Sequence, residues 1–245
     1  MFIAGNWKMN GTVAEATALA RALVDGLPAN APTTAVFPPA VHLAAVGEVL
    51  KGSPIFMGGQ DCSGAEKGAH TGDISAAMLA DIGARGVIIG HSERRTDHGE
   101  TDAEIQQKVE AGLGAGLGVV LCVGETLAER ESGAAQSVVR EQLEGSLPKV
   151  FPGGSVVIAY EPVWAIGTGK VATVEDIASM HGMIRAWLGE NQPELAQTFI
   201  LYGGSVKPSN AAEIFALDEV GGALVGGASL KSDDFLGIIA AAMKP

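Results

Sequence analysis

The 245-residue chain has only two cysteines, Cys62 and Cys122. Two thiols make no disulfide framework, which suits a reducing compartment. Basic residues are also scarce: 16 Lys and Arg stand against 28 Asp and Glu, for a net charge of −12. That balance argues against nucleic acid as a partner, because phosphate binding on that scale needs a basic face. Long apolar runs are missing too. No stretch reaches about 18 apolar residues, so no membrane-spanning helix and no membrane partner are expected. The opening Met1-Phe2-Ile3-Ala4-Gly5-Asn6-Trp7-Lys8 has too short an apolar stretch, and no preceding basic region, for a signal peptide. These absences together suggest a cytoplasmic protein. With 47% hydrophobic residues the chain is too apolar for disorder.

Glycine, by contrast, is abundant, with 34 residues. These lack the three-residue period of collagen. Between them run short, mostly β-branched apolar segments: Phe2–Gly5, Thr34–Phe37, Pro54–Met57, Gly86–Ile89, Gly118–Val123, Ser155–Tyr160, Thr198–Tyr202 and Gly222–Val225. Each is apolar on both faces, as expected of parallel strands buried on both sides. Helical spacing fills the intervals. Ile105, Val109 and Leu113 recur every fourth residue, as do Val139, Leu143 and Leu147. Val174, Ile177, His181, Ile184 and Leu188 share a face of a longer helix, with Thr173 and Asp176 forming a capping box at its start. A last helix runs from about Ser232 to Met243. Eight such units with no linker predict an α/β fold: one closed (β/α)8 barrel domain over residues 1–245. An open doubly wound sheet is the other arrangement compatible with the pattern. In either, chemistry belongs just past the C-terminal ends of the strands.

Those strand ends carry a distinctive set of residues. Asn6 and Lys8 follow the first strand and, in extended chain, point the same way. A lysine there offers a fixed positive charge to an anion, or an amine for a Schiff base. His91 follows the fourth strand at a helix start, where the macrodipole and unpaired N–H groups disfavour imidazolium. A neutral ring at pH 7 that can donate a hydrogen bond is therefore expected. Glu93, Arg94 and Arg95 read as ion-pairing residues of the barrel rim. After the sixth strand Pro162 holds Glu161 in extended geometry at the strand tip. The apolar Val163, Trp164 and Ile166 with Gly167 and Gly169 then read as a lid able to exclude water. Gly203-Gly204-Ser205 and Gly226-Gly227 follow the seventh and eighth strands, with Pro208 suited to a first helical position. Such glycine pairs let an anion reach backbone N–H groups, and phosphate sites recur at this place in barrel enzymes.

Other signatures are missing. Gly167-Thr168-Gly169-Lys170-Val171-Ala172 fits the loose dinucleotide fingerprint, but it lies in the lid rather than after a strand. Neither Ser92 nor Ser205 has the flanking glycines of a nucleophile elbow. No spacing resembles a metal site, and no cofactor is implied. One carboxylate, one imidazole, one ammonium, a phosphate cradle and a lid fit proton abstraction beside a carbonyl in a small phosphorylated sugar. A Schiff-base aldolase built on Lys8 and a sugar-phosphate-binding protein without catalysis remain as alternatives.

Six segments sharpen the choice. Asn6-Trp7-Lys8-Met9-Asn10, Gly90-His91-Ser92-Glu93-Arg94-Arg95, Cys122-Val123-Gly124-Glu125-Thr126-Leu127, the run from Ala159 to Gly169, Tyr202-Gly203-Gly204-Ser205-Val206 and Leu224-Val225-Gly226-Gly227-Ala228-Ser229-Leu230 resemble the triosephosphate isomerase family, in order and along the whole chain. A glutamate base beside a neutral histidine is that family's established pattern. The resemblance implies a TIM barrel that interconverts glyceraldehyde 3-phosphate and dihydroxyacetone phosphate, with Glu161 as base and His91 as electrophile. It implies that Lys8 and Asn6 bind and orient the substrate, and that N–H groups near Gly167, Ser205, Gly226 and Gly227 hold the phosphate. It further implies a homodimer in which the loop from about Gln60 to Asp73 carries Thr71 into the neighbouring subunit. In that loop the sequence departs from the family, with His70 where an aromatic commonly precedes Thr-Gly and Asp61 where Asn is frequent.

Overall fold

The computed structural model of the chain describes residues 1–151, 154–166 and 171–243. Eight parallel strands close on themselves in sequence order. They are β1 (Phe2–Asn6), β2 (Thr33–Phe37), β3 (Phe56–Gly59), β4 (Gly86–Ile89), β5 (Gly118–Val123), β6 (Val156–Tyr160), β7 (Ile200–Tyr202) and β8 (Gly222–Val225). β1 closes the ring, with Ala4 opposite Ala35 of β2 on one side and Leu224 of β8 on the other.

Alternation along each strand divides the core into two layers. Ala4, Ala35, Phe37, Ile88, Val120, Cys122, Val157, Ala159, Leu201 and Leu224 fill the barrel interior. Their neighbours, such as Ile3, Val87, Ile89, Val119 and Leu121, point outward and pack on the helices. A strand covered on both sides must be apolar at every position, which is why no polar alternation shows in the sequence. The outer layer is supplied by helix faces at a period near four: Ile105, Val109 and Leu113 in helix Asp102–Gly114, and Ile177, His181, Ile184 and Leu188 in helix Val174–Asn191, are all buried.

Helix starts are strongly specified. Thr12, Thr101, Thr126 and Thr173 each form a full capping box, with Glu15, Glu104, Glu129 and Asp176 respectively. Each box satisfies two otherwise unpaired N–H donors. The last helix spans Ser232–Ala241, slightly shorter than its sequence pattern.

Two differences from the sequence reading have clear causes. β3 lies two residues further along than the apolar run Pro54–Met57 suggested, because it ends in Gly58-Gly59, a pair that reads as a turn. A Cβ at Gly58 would stand 2.3 Å from the Phe37 ring and 2.7 Å from the Gly86 carbonyl. Crowding inside the barrel therefore demands glycine in a strand. Pro208 does not open a helix. It sits in a turn, and the helix begins at Ala211.

Candidate active site

The C-terminal mouth of the barrel opens on a cavity of about 320 Å³. Asn6, Lys8, His91, Glu161, Ser205, Gly226 and Gly227 all line it. Residues drawn from five strand ends thus converge on one space. Gly167, assigned to phosphate binding by resemblance, lies outside the described residues.

Glu161 follows β6 and is 2% exposed. Its position is set by backbone. The Glu161 N–H donates to the Val123 carbonyl at 2.8 Å, and the strand end before it is held by the Gly203 N–H on the Tyr160 carbonyl at 2.7 Å. Glycines make room on both sides: a Cβ at Gly124 would stand 1.7 Å from the Glu161 carbonyl oxygen, and one at Gly203 would stand 2.8 Å from Glu161 Cγ. Gly203 therefore has a packing role beyond the cradle expected from sequence. The carboxylate accepts from the Ser92 N–H at 2.9 Å and lies 2.9 Å from His91 Nε2. Burial pushes its carboxyl up, but the His91 ring and the Ser92 N–H outweigh burial and hold it below the ordinary glutamate value.

His91 caps the helix Ser92–Asp97, and its Nδ1 accepts from the Glu93 N–H at 3.2 Å. An acceptor at Nδ1 places the ring proton on Nε2, facing Glu161. Burial lowers the imidazole's pKa, the Glu161 carboxylate raises it more, and the balance lies above the usual histidine value. The expectation of a neutral ring rested on the helix start alone; no local sequence signal places Glu161, 70 positions away, at hydrogen-bond distance. The Glu93 N–H on Nδ1 acts in the opposite direction, since an imidazolium needs a second proton there. The opposed shifts of Glu161 and His91 describe one contact. A ligand that parts the pair leaves burial dominant on both, making the carboxylate a stronger base and the imidazole a neutral donor.

Lys8 reaches the cavity by an unexpected route. It is the one non-glycine residue with left-handed backbone among the described residues, at φ 51°. The extended geometry assumed from sequence therefore does not hold. Such a conformation costs about 1–3 kcal/mol and persists only when surroundings fix it. Here the Lys8 N–H donates to Asn6 Oδ1 at 3.0 Å, and Gln60 Nε2 donates to the Lys8 and Phe37 carbonyls at 2.8 Å. Lys8 Nζ pairs with Glu93 Oε1 at 2.5 Å, and the side chain is 25% exposed. That environment is not the desolvated pocket a Schiff-base amine needs. Arg94 and Arg95 pair with Glu100 and Asp102 on the rim, as read from sequence.

The wall beside Lys8 is glycine-rich. A Cβ at Gly226 would reach Lys8 Cε at 3.4 Å, and one at Gly227 would meet none of the described residues within 4 Å. A short 3-10 helix, Gly227–Leu230, starts at the second glycine pair. Ser229 anchors it, donating to the Gly226 carbonyl at 2.7 Å and, more weakly, to the Asn6 carbonyl at 3.4 Å. On the lid side, Trp164 Nε1 and the Tyr160 hydroxyl donate to the buried Glu125 carboxylate at 2.8 and 3.0 Å. Arg130 lies 4.7 Å over the Trp164 ring. Sequence reasoning assigned Glu125 no role, although it adjoins the capping box of Thr126 and Glu129.

The family model described as triosephosphate isomerase matches residues 1–242. The chain belongs to the triosephosphate isomerase family. A triosephosphate isomerase of Acidiphilium cryptum is 54% identical, covering 99% of this chain and 98% of that protein. One of Caulobacter vibrioides is 55% identical over 98% and 95%. The crystal structure of triosephosphate isomerase from Bartonella henselae superposes with a TM-score of 0.90 at 46% identity, covering 99% of both chains. Membership accounts for the barrel and for the order of the strand-end segments.

Proposed function

We propose that this chain interconverts D-glyceraldehyde 3-phosphate and dihydroxyacetone phosphate through an enediolate, and so serves glycolysis and gluconeogenesis in the cytoplasm as one barrel domain. The observation that carries the reading is the shared cavity: Glu161, His91, Lys8 and Asn6 line the same space of about 320 Å³ as Ser205, Gly226 and Gly227.

Substrate enters with its phosphate toward the N–H groups of Gly167, Ser205, Gly226 and Gly227. The Lys8 ammonium and the Asn6 side chain orient the carbonyl end. Glu161 leaves His91 and Ser92 and takes the proton from the carbon next to the carbonyl. His91 supplies the Nε2 proton to the carbonyl oxygen as negative charge builds there. The protonated Glu161 then returns its proton to the former carbonyl carbon while His91 regains its Nε2 proton from the neighbouring hydroxyl, whose oxygen becomes the new carbonyl, so the isomer leaves with no net change in atoms or electrons. A coupled assay tests this. Glu161→Gln is expected to lower kcat by about a thousandfold or more while phosphate-analogue binding survives; undiminished turnover would refute the assignment.

The same reading makes the protein a homodimer whose loop 60–73 places Thr71 at the neighbouring site. Its support is exposure: Glu66–Asp73 is exposed throughout, and the apolar Met9, Val41 and Met78, which follow β1, β2 and β3 in the chain, are 94%, 82% and 57% exposed. Apolar surface of that kind marks an interface. Sedimentation should give twice the chain mass for wild type and a shift toward monomer for Thr71→Arg; a monomeric wild type would exclude the dimer.

A further inference from the structure

The barrel has a second mouth, at the N-terminal ends of its strands, and a cavity of about 270 Å³ opens there. It shares no residue with the site above. Its floor is Ala35, Val120 and Val157 of the barrel interior, and its walls include Phe2, Phe56 and Phe199. The space exists because three strands begin or run there with small residues. Ala35, Gly86 and Gly118 carry too little side chain to fill the taper that eight strand ends create. Phe199 is 41% exposed despite its size, so the wall is apolar and open to solvent.

At its edge stands Arg85. Its backbone is clamped immediately before β4, donating to the Met57 carbonyl at 2.8 Å and accepting from the Gly118 N–H at 3.0 Å. Its guanidinium lies 4.0 Å above the Phe56 ring, a cation–π contact that leaves the N–H edges open to a partner. Among the described residues Arg85 makes no ion pair. An apolar recess and a planar cation set side by side complement an apolar body bearing one carboxylate. Size narrows the class. An apolar cavity of about 150 Å³ holds one benzene ring, so this recess has room for a ring and a short chain.

We infer that the N-terminal mouth of the barrel binds small aryl-alkyl carboxylates, with the ring among Phe2, Phe56 and Phe199 and the carboxylate on Arg85. Binding at this mouth is independent of the isomerase reading, since the two sites lie at opposite ends of the strands. The probe is 3-phenylpropionate, followed by calorimetry and saturation-transfer NMR. Saturable binding is expected with a dissociation constant on the order of 1 mM. Arg85→Met keeps the stem and removes the charge; it should weaken binding about tenfold while turnover is unchanged. The uncharged 3-phenylpropanamide should show a similar loss on wild type. Val157→Phe, which fills the floor, should abolish ring saturation transfer. Inorganic phosphate, directed to the other mouth, should leave binding intact. The inference is overturned if the probe does not saturate, if phosphate displaces it, or if Arg85→Met and the amide bind as well as the parent pair.

Discussion

Lowering the pH should expose a stability contribution held by a histidine far from the chemistry. His181 is fully buried in helix Val174–Asn191. Its Nδ1 lies 3.1 Å from the Glu219 carbonyl, which can only accept, so Nδ1 carries the proton. Among the described residues Nε2 has no hydrogen-bond partner, and the ring meets Tyr160 edge-on at 5.9 Å. A second proton would have to be buried bare, with Arg185 also nearby opposing it, and burial pushes the ring's pKa down from 6.5 to about 4. The sign follows. The folded state disfavours the imidazolium, so the unfolded chain takes up a proton first as pH falls. Stability is fully present above pH 6.5, declines between about 6.5 and 4, and declines no further below. The gap corresponds to roughly 3 kcal/mol. Urea unfolding of wild type and His181→Gln at equal protein concentration, at neutral pH and near pH 4.5, isolates it. Carboxylates lose their contribution equally in both proteins, whereas the variant has no imidazole to charge. Wild type should lose about 2.5 kcal/mol more than the variant over that span. Parallel losses would show that the buried ring does not titrate as argued.

Three further outcomes follow from packing and charge. Gly124→Ala should destabilise the fold by about 3 kcal/mol or more in thermal unfolding, because its Cβ would overlap the rigid Glu161 backbone at 1.7 Å; Gly203→Ala, which meets the Glu161 side chain, should lower kcat with a smaller loss of stability. Asp61 sits between Lys108 at 2.9 Å and Arg94 at 3.0 Å, yet burial holds its carboxyl above the ordinary aspartate value. An ionised group held that way costs stability near neutral pH and ceases to do so as pH falls through its folded value. Asp61→Asn should therefore change unfolding free energy by less than about 1 kcal/mol at pH 7, even though it removes the carboxylate that both Lys108 and Arg94 face; a loss above about 3 kcal/mol would contradict the desolvation argument.

The sequence was most legible where one residue type has one use. β4, β5 and β8 begin and end where their apolar runs do, because parallel strands covered on both faces leave no other pattern. Glu161 and His91 were legible because a proline and a helix start fix their backbone. β3 was displaced because the interior crowding that forces Gly58 comes from Phe37 and Gly86, distant in sequence. The grip of Gln60 on the Lys8 carbonyl, the seat of Ser229 and the Trp164–Glu125 contact are all long-range hydrogen bonds. Such bonds leave no periodic trace. The same blindness hid the Glu161–His91 contact, and with it the upward shift of the imidazole.

That contact has a consequence for selectivity. The carboxylate and the imidazole engage each other across 2.9 Å. A stray aldehyde or ketone drifting into the mouth finds a base already engaged and a proton already shared. Only a molecule that brings enough binding of its own to separate the two unlocks them, and under the proposed function that binding comes from the phosphate of a triose phosphate. The resting embrace of Glu161 and His91 is thus a form of safety catch: it makes chemistry conditional on the part of the substrate that does not react.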